Sequence, residues 1–276
     1  MQRIKALAIL NAISFLLHLT LSYMTQFRVV NTKDVGEVSD QYFSLFTPAP
    51  FTFAIWGIIY TCLGIFCLYH IVMAYKHDKV NPANTDLVSI GAWFIITNLA
   101  SAAWLIAWTN ERLLVSVVLI FIQLLSLIII HQRLNIHSRL RSAGSKICTE
   151  LPVSVYLAWI SIAAIANTAV YLVAIGWHGM GLPAVQWTMI MIGVAILIGV
   201  IIIFTRKNIA FGAVIMWGLY GITARLETLD DTYTNIINMA WGGIALLGLC
   251  CLIQLVKSFG YRRRTLSFPE AARPIK

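Results

Sequence analysis

The side chains of this sequence that could do chemistry are rings and amides set at helical intervals. Phe53, Trp56, Tyr60 and Gly64 follow an i, i+3, i+4 spacing that would line three rings along one side of a helix. Tyr156, Trp159, Ala163 and Asn167 put a ring, a shallow gap and an amide on one stripe, with Ala164 and Ala166 beside it. Asn98, Ser101 and Leu105 share a face that continues to Trp108, and Thr97, Ser101 and Trp104 make the adjoining one. Ser14, His18 and Ser22 form a further polar stripe. Aromatic faces supply contact area and amides orient a polar edge, so the chemistry on offer is recognition of a flat apolar molecule. A packing reading stands beside each of these. His18 could ligate haem or wall a pocket, or be hydrogen-bonded between helices. Trp104 could wall a pocket or anchor at the membrane interface, and Asn167 could serve only an interhelical bond. Trp108 is expected as an interfacial anchor and Gln123 as a packing residue.

Catalytic chemistry finds no foothold. There is no HExxH, no paired acid within an apolar run and no Ser/His/Asp arrangement, so the chain is not expected to be an enzyme. The 5 cysteines show neither CxxC nor metal spacing, and Cys62, Cys67, Cys250 and Cys251 lie in apolar runs as small hydrophobes. No lysine falls inside an apolar run, which removes a Schiff base to retinal.

The elements that must position these groups are membrane spans. The 276 residues are 59% hydrophobic and 11% charged, against about 25% charged in soluble domains. Eight apolar runs stand out, at about 6–23, 51–75, 88–108, 113–131, 151–175, 185–205, 209–223 and 234–256. The fold class expected is therefore all-α, a polytopic integral membrane protein of eight transmembrane helices. The first run is too long and too poorly matched to a cleavage site for a removable signal. With the N-terminus inside, 16 of the 20 Lys and Arg lie on the cytoplasmic side, leaving only Arg28, Lys33, Arg112 and Arg225 outside with 7 of the 11 acids. Positive-inside bias thus predicts both termini in the cytoplasm. The formal charge of +9 is explained by anionic lipid and topology, and no aromatic interleaving points to nucleic acid.

Pro48 and Pro50 stop any regular element and start the second span just after them. That span should show rings on one side and a docking stripe of Gly57, Thr61 and Leu68 on the next. The polar connection from Met24 to Thr47 has the length of a lid or binding loop. Arg225 must sit near the end of the short seventh run, where an ion pair with Glu227 is expected. Trp241, Gly242 and Gly243 suggest close packing in the eighth.

Taken together, the second, third and fifth runs resemble the TspO/MBR family, the tryptophan-rich sensory proteins related to the mitochondrial translocator protein. In that family the second helix follows a Pro-rich turn with aromatic, Phe, Trp and Tyr, where this chain has Pro48, Phe51, Phe53, Trp56 and Tyr60. The third has an Asn-Leu-Ala-Trp run and a later Asn; Asn98, Leu99, Ala100 and Asn110 fit, with Ser101 in the Trp position. The fifth reads Pro-Tyr-Leu-x-Trp, Ala, Asn; Tyr156, Leu157, Trp159, Ala163 and Asn167 fit, with Val155 in the Pro position. The likeness covers about residues 5–176, and residues from 177 on have no counterpart in five-helix members. The resemblance implies a five-helix bundle over 1–176, a three-helix extension over 177–257 and a basic cytoplasmic tail over 258–276. It implies a pocket lined by Trp56, Asn98, Trp159, Ala163 and Asn167, closed by helix 1 around His18 and Ser22, and roofed by the connection between the first two helices; Phe53, Tyr60 and Trp104 complete the set of expected ligand-binding residues.

The function expected is binding or sensing of a flat hydrophobic molecule such as a tetrapyrrole or sterol. The alternative is transport of a small organic molecule through a path that includes the last three helices. No cofactor is obligatory and no metal site is implied; haem or protoporphyrin is the candidate ligand. Membrane lipid and a second copy of the chain are the candidate partners, and the expected location is a bacterial plasma membrane.

Overall fold

The computed structural model describes residues 1–136, 142–229 and 233–266, with 259–266 as backbone only. The acids Asp230 and Asp231, the middle of the basic loop at 137–141 and the tail beyond 266 lie outside the described residues.

The chain folds into α1 (Gln2–Gln26), α2 (Val35–Gln41), α3 (Ile55–Lys76), α4 (Pro82–Ile90), α5 (Trp93–Thr109), α6 (Leu113–Arg133), α7 (Leu151–Ala174), α8 (Ala184–Thr205), α9 (Ile209–Leu226) and α10 (Thr234–Leu266). Among the described residues, seven helical stretches are long and apolar enough to cross a membrane, and the bent pair α4 and α5 brings the number to eight when taken as one broken span. Only helices satisfy their own backbone groups in hydrocarbon, which is why eight apolar runs become eight helical crossings. The chain is an integral, multi-pass membrane protein.

The third crossing departs from the continuous helix expected over 88–108. It bends by 54° between α4 and α5. Gly91 carries φ 59° and ψ −133°, a conformation that a side chain would strain, and it ends α4 there. Two further expectations are corrected. Gly57, Thr61 and Leu68 face outward, and α3 docks instead through Ile55, Ile59, Leu63, Phe66 and His70. Apolar side chains outnumber polar ones all round α3, so small residues alone do not mark its buried side. The eighth helix also continues past 256, to Leu266.

One buried apolar cluster holds the bundle together and takes residues from both stretches of chain, from Phe15 and Ile59 through Trp159 and Ile162 to Leu219 and Leu247. The short α9 is more buried than any other unbroken crossing. Its glycines explain how: a Cβ on Gly218 would stand 2.3 Å from Ile162 of α7, and one on Gly221 would stand 2.1 Å from Thr52. At Gly221 only hydrogen fits against Thr52, and at Gly218 a methyl would have to displace the end of the Ile162 side chain, so the two glycines let α9 press against the turn before α3 and against α7. In the eighth crossing Gly243 is likewise pressed on Ile196, whereas nothing lies within 4 Å of a Cβ on Gly242.

Candidate functional site

Pro50 opens a 3₁₀ turn, Pro50–Ala54, whose fixed φ and absent donor suit a helix start and feed α3 without a break. This turn sets Phe53 and, one turn on, Trp56 on the inner side of α3. From α7, Trp159 comes to meet them, with its ring edge-on to Phe53 at 6.1 Å between centroids. Trp104 and Trp108 of α5 stack at 5.4 Å on the far side. The four indoles and Phe53 surround a cavity of about 50 Å³, completed by Ala163, Ala166, Asn167 and Gln123. That is room for about three or four waters.

Of the ten residues expected to line a pocket, the structure brings six to this cavity: Phe53, Trp56, Trp104, Trp159, Ala163 and Asn167. The other four sit behind Trp56 as a separate cluster, with His18 and Asn98 buried and Ser22 and Tyr60 half-buried. His18 donates from Nδ1 to Asn98 Oδ1 at 3.2 Å, and Tyr60 donates to Ser22 Oγ at 2.6 Å. The His18 ring stands edge-on to Trp56 at 6.0 Å and to Tyr60 at 5.5 Å. Helix α1 therefore braces the Trp56 wall and does not itself close the cavity. Asn98 is held by its own helix as well, donating to Phe94 O at 2.8 Å.

Asn167 is fully engaged. It accepts from Trp104 Nε1 at 2.7 Å and donates to Ser116 Oγ at 2.9 Å, which locks α5, α6 and α7 around the hollow. Trp104 is thus a cavity wall with its indole N–H turned inward. Trp108 is corrected from its expected place at the lipid interface: it is 4% exposed, walls the cavity and donates to Val35 O at 3.0 Å. An indole at a span end reads the same whether lipid or a folded loop lies above it. Gln123, expected as packing, also reaches the cavity; its mid-span amide was the signal.

The connection between α1 and α3 roofs this end. Asp34 caps α2 by accepting from Glu37 N at 2.9 Å, while Glu37 accepts from Asp34 N at 2.8 Å. Val35 and Ser39 of α2 and Pro48 line the cavity from above. The roof is tied down at both ends. Glu111, in the turn between α5 and α6, receives Lys33 Nζ, Gln41 Nε2 and the Tyr42 hydroxyl. Those bonds, Lys33 first and Tyr42 next, hold its carboxyl below the usual glutamate range. At the other end Arg225 of α9 reaches Asp40 at 2.7 Å and lies over the Phe43 ring. The expected pairing of Arg225 with Glu227 is therefore corrected: the guanidinium turns to the roof, and Glu227 accepts from Trp241 Nε1 at 3.3 Å. Ala49 N donates to Gly221 O at 2.8 Å and Trp217 Nε1 to Thr52 O at 3.0 Å, so α9 grips the whole segment.

A larger hollow of about 1000 Å³ opens between α6, α7 and α8, walled by Leu124, Ile128, Leu157, Ile165 and Ile198 among others. Its hydroxyls are spent within their own helices, Ser161 on Leu157 O, Thr168 on Ala164 O and Thr188 on Ala184 O. Its walls are mainly hydrocarbon, with His178 and Tyr233 among the polar side chains at its rim.

A family model described as TSPO-like protein matches residues 8–253. The match extends beyond the motif-bearing stretch 5–176 and takes in α8, α9 and most of α10. Comparison with curated proteins and with solved structures gives no match.

Proposed function

This chain belongs to the TSPO-like protein family, and on that premise we propose that it is a membrane ligand-binding protein whose ring-lined cavity takes part of a flat hydrophobic molecule. The observation that carries the reading is the convergence of Phe53, Trp56, Trp104 and Trp159 on one hollow with Asn167 at its edge. Four large rings give broad apolar contact at low conformational cost, and buried amides fix orientation. A whole ligand pocket is typically about 300–1,000 Å³, so a cavity of about 50 Å³ must widen to take more than a part of such a molecule. The roof formed by the short α2, held by ion pairs and by a small apolar cluster of Val38 with Trp108, Leu113 and Val170, is the part that gives way. No catalytic step is assigned to these residues, and no cofactor is required for binding. We place the protein in a bacterial plasma membrane with both termini in the cytoplasm and the roof outside, on the cation bias, and a homodimer is compatible with this reading.

Titration of the purified protein with protoporphyrin, followed by Soret absorbance and Trp quenching, tests the proposal. Trp56→Ala and Trp159→Ala should each weaken binding at least tenfold. Undiminished binding in both variants would remove the cavity from consideration.

A second reading, passage of a small organic molecule, is supported by the groove between α6, α7 and α8, which extends from Trp177 and Trp187 at the roof end to Ile202 near the opposite end of α8. Proteoliposomes that accumulate or release an apolar amine or porphyrin in proportion to protein would favour it.

A further inference from the structure

Gln123 carries a fully buried polar valence of the ring-lined cavity that the described residues leave open. Its side chain is 1% exposed, and it sits in mid-span on α6 among apolar neighbours. Its Oε1 accepts from Ser101 Oγ at 2.8 Å, a hydroxyl whose single proton is shared with the Thr97 carbonyl at 2.9 Å. The Tyr156 hydroxyl donates to that same Ser101 oxygen, so the acceptor end of the amide is fixed from two sides. The donor end is not: Gln123 Nε2 is buried with no hydrogen-bond partner. Asn167 has a protein partner at each end, and so do the indole N–H groups of Trp104 and Trp108. No Lys or Arg lines the cavity among the described residues.

We propose that Gln123 is the specificity-determining residue of this cavity and that the ligand part entering it is a flat, uncharged ring system presenting a carbonyl or other acceptor oxygen to Gln123 Nε2. This rests on the reading of the cavity as a ligand site. Leaving a buried amide N–H unmatched is costly, because hydrocarbon gives it nothing in exchange for water. A ketone gives Nε2 the acceptor that water would otherwise supply, whereas a hydrocarbon of equal shape gives it none. A carboxylate is excluded for a different reason: a single neutral amide cannot repay its desolvation. Ionised substituents of any larger ligand must therefore remain at the roof, towards Lys33 and Arg28.

Three tricyclic probes of nearly the same outline separate the possibilities: fluorenone with a carbonyl, fluorene with a methylene and carbazole with an N–H. Binding is read by Trp quenching in the full-length protein, and the fluorenone carbonyl stretch by infrared difference spectroscopy. The expected result is roughly tenfold tighter binding of fluorenone than of fluorene, with carbazole weakest and a down-shifted carbonyl band. In Gln123→Leu the tenfold preference and the band shift should both vanish while fluorene binds at least as well as before. Fluorene binding that survives in Gln123→Leu also shows that the variant is folded. Equal affinity for all three probes, preference for carbazole, or a band shift that persists in Gln123→Leu overturns the assignment to Gln123 and leaves the cavity reading intact. Failure of every probe to bind, with protoporphyrin binding untouched by Trp56→Ala, overturns both.

Discussion

Gly221→Ala is the substitution whose consequence follows most directly from the packing. The new methyl would lie 2.1 Å from Thr52 Oγ1, 2.7 Å from its Cγ2 and 2.9 Å from its Cβ. Rotating Thr52 about χ1 cannot clear the site, because Cβ itself stays too near. Contacts between carbon atoms settle at about 3.5–4.0 Å, so α9 and the Pro50–Ala54 turn must part by about 1 Å or more. That displacement works against two hydrogen bonds, Ala49 N to Gly221 O at 2.8 Å and Trp217 Nε1 to Thr52 O at 3.0 Å. Overpacking costs about 1–3 kcal/mol and each of the two weakened hydrogen bonds about 1 kcal/mol, for a total of about 3–5 kcal/mol. The apparent melting temperature in detergent, followed by fluorescence-detected size exclusion, should fall by roughly 5–15 °C. Gly242→Ala is the control, because nothing lies within 4 Å of its Cβ and helix propensity favours alanine. Thr52→Ala should restore more than half of the loss when combined with Gly221→Ala. The Thr52 hydroxyl has no hydrogen-bond partner among the described residues, so deleting it costs little by itself. A Gly221→Ala protein that melts within 2 °C (about 1 kcal/mol) of the parent would refute the steric argument, and so would a double variant no better than the single. Because Phe53 sits on the same turn, the parted contact should also weaken probe binding.

Arg225→Met and Asp40→Asn should each raise amide hydrogen exchange across α2 by a few-fold with little change in melting temperature, since a half-exposed ion pair contributes about 1 kcal/mol or less; unchanged protection in both would show that the pair does not hold the roof. The Glu111 carboxyl is held below its ordinary value of 4.5, so its contribution is present in full above that value and is lost as pH falls through the depressed folded value. Protection of residues 35–42, corrected for intrinsic exchange, should thus stay level from neutral pH down to about 5 and decline below it, and Glu111→Gln should remove the decline. His18→Leu should destabilise by about 1–3 kcal/mol, because Asn98 Oδ1 is left buried and unmatched; a melting temperature equal to the parent's would contradict that bond.

What the sequence determined by itself is whatever depends on local pattern. Apolar length fixed the eight crossings, since hydrocarbon thickness leaves a chain few alternatives, and helical spacing put Phe53 with Trp56, and Trp159 with Ala163 and Asn167, on common faces. The ring and amide motifs were also enough to suggest the family. Tertiary structure decided which faces meet. His18, Ser22, Tyr60 and Asn98 have the same residue types as the cavity walls, yet they pair with one another behind Trp56, because a buried donor is satisfied by whichever acceptor packing brings near. Nothing in periodicity distinguishes Gln123 as packing from Gln123 as a wall, and an indole at a span end gives no sign that a loop will fold over Trp108. The partner of Arg225 was out of reach for the same reason. Glu227 is two residues away and Asp40 is 185 away, and only the approach that Gly218 and Gly221 allow to α9 brings the distant acid within hydrogen-bond range.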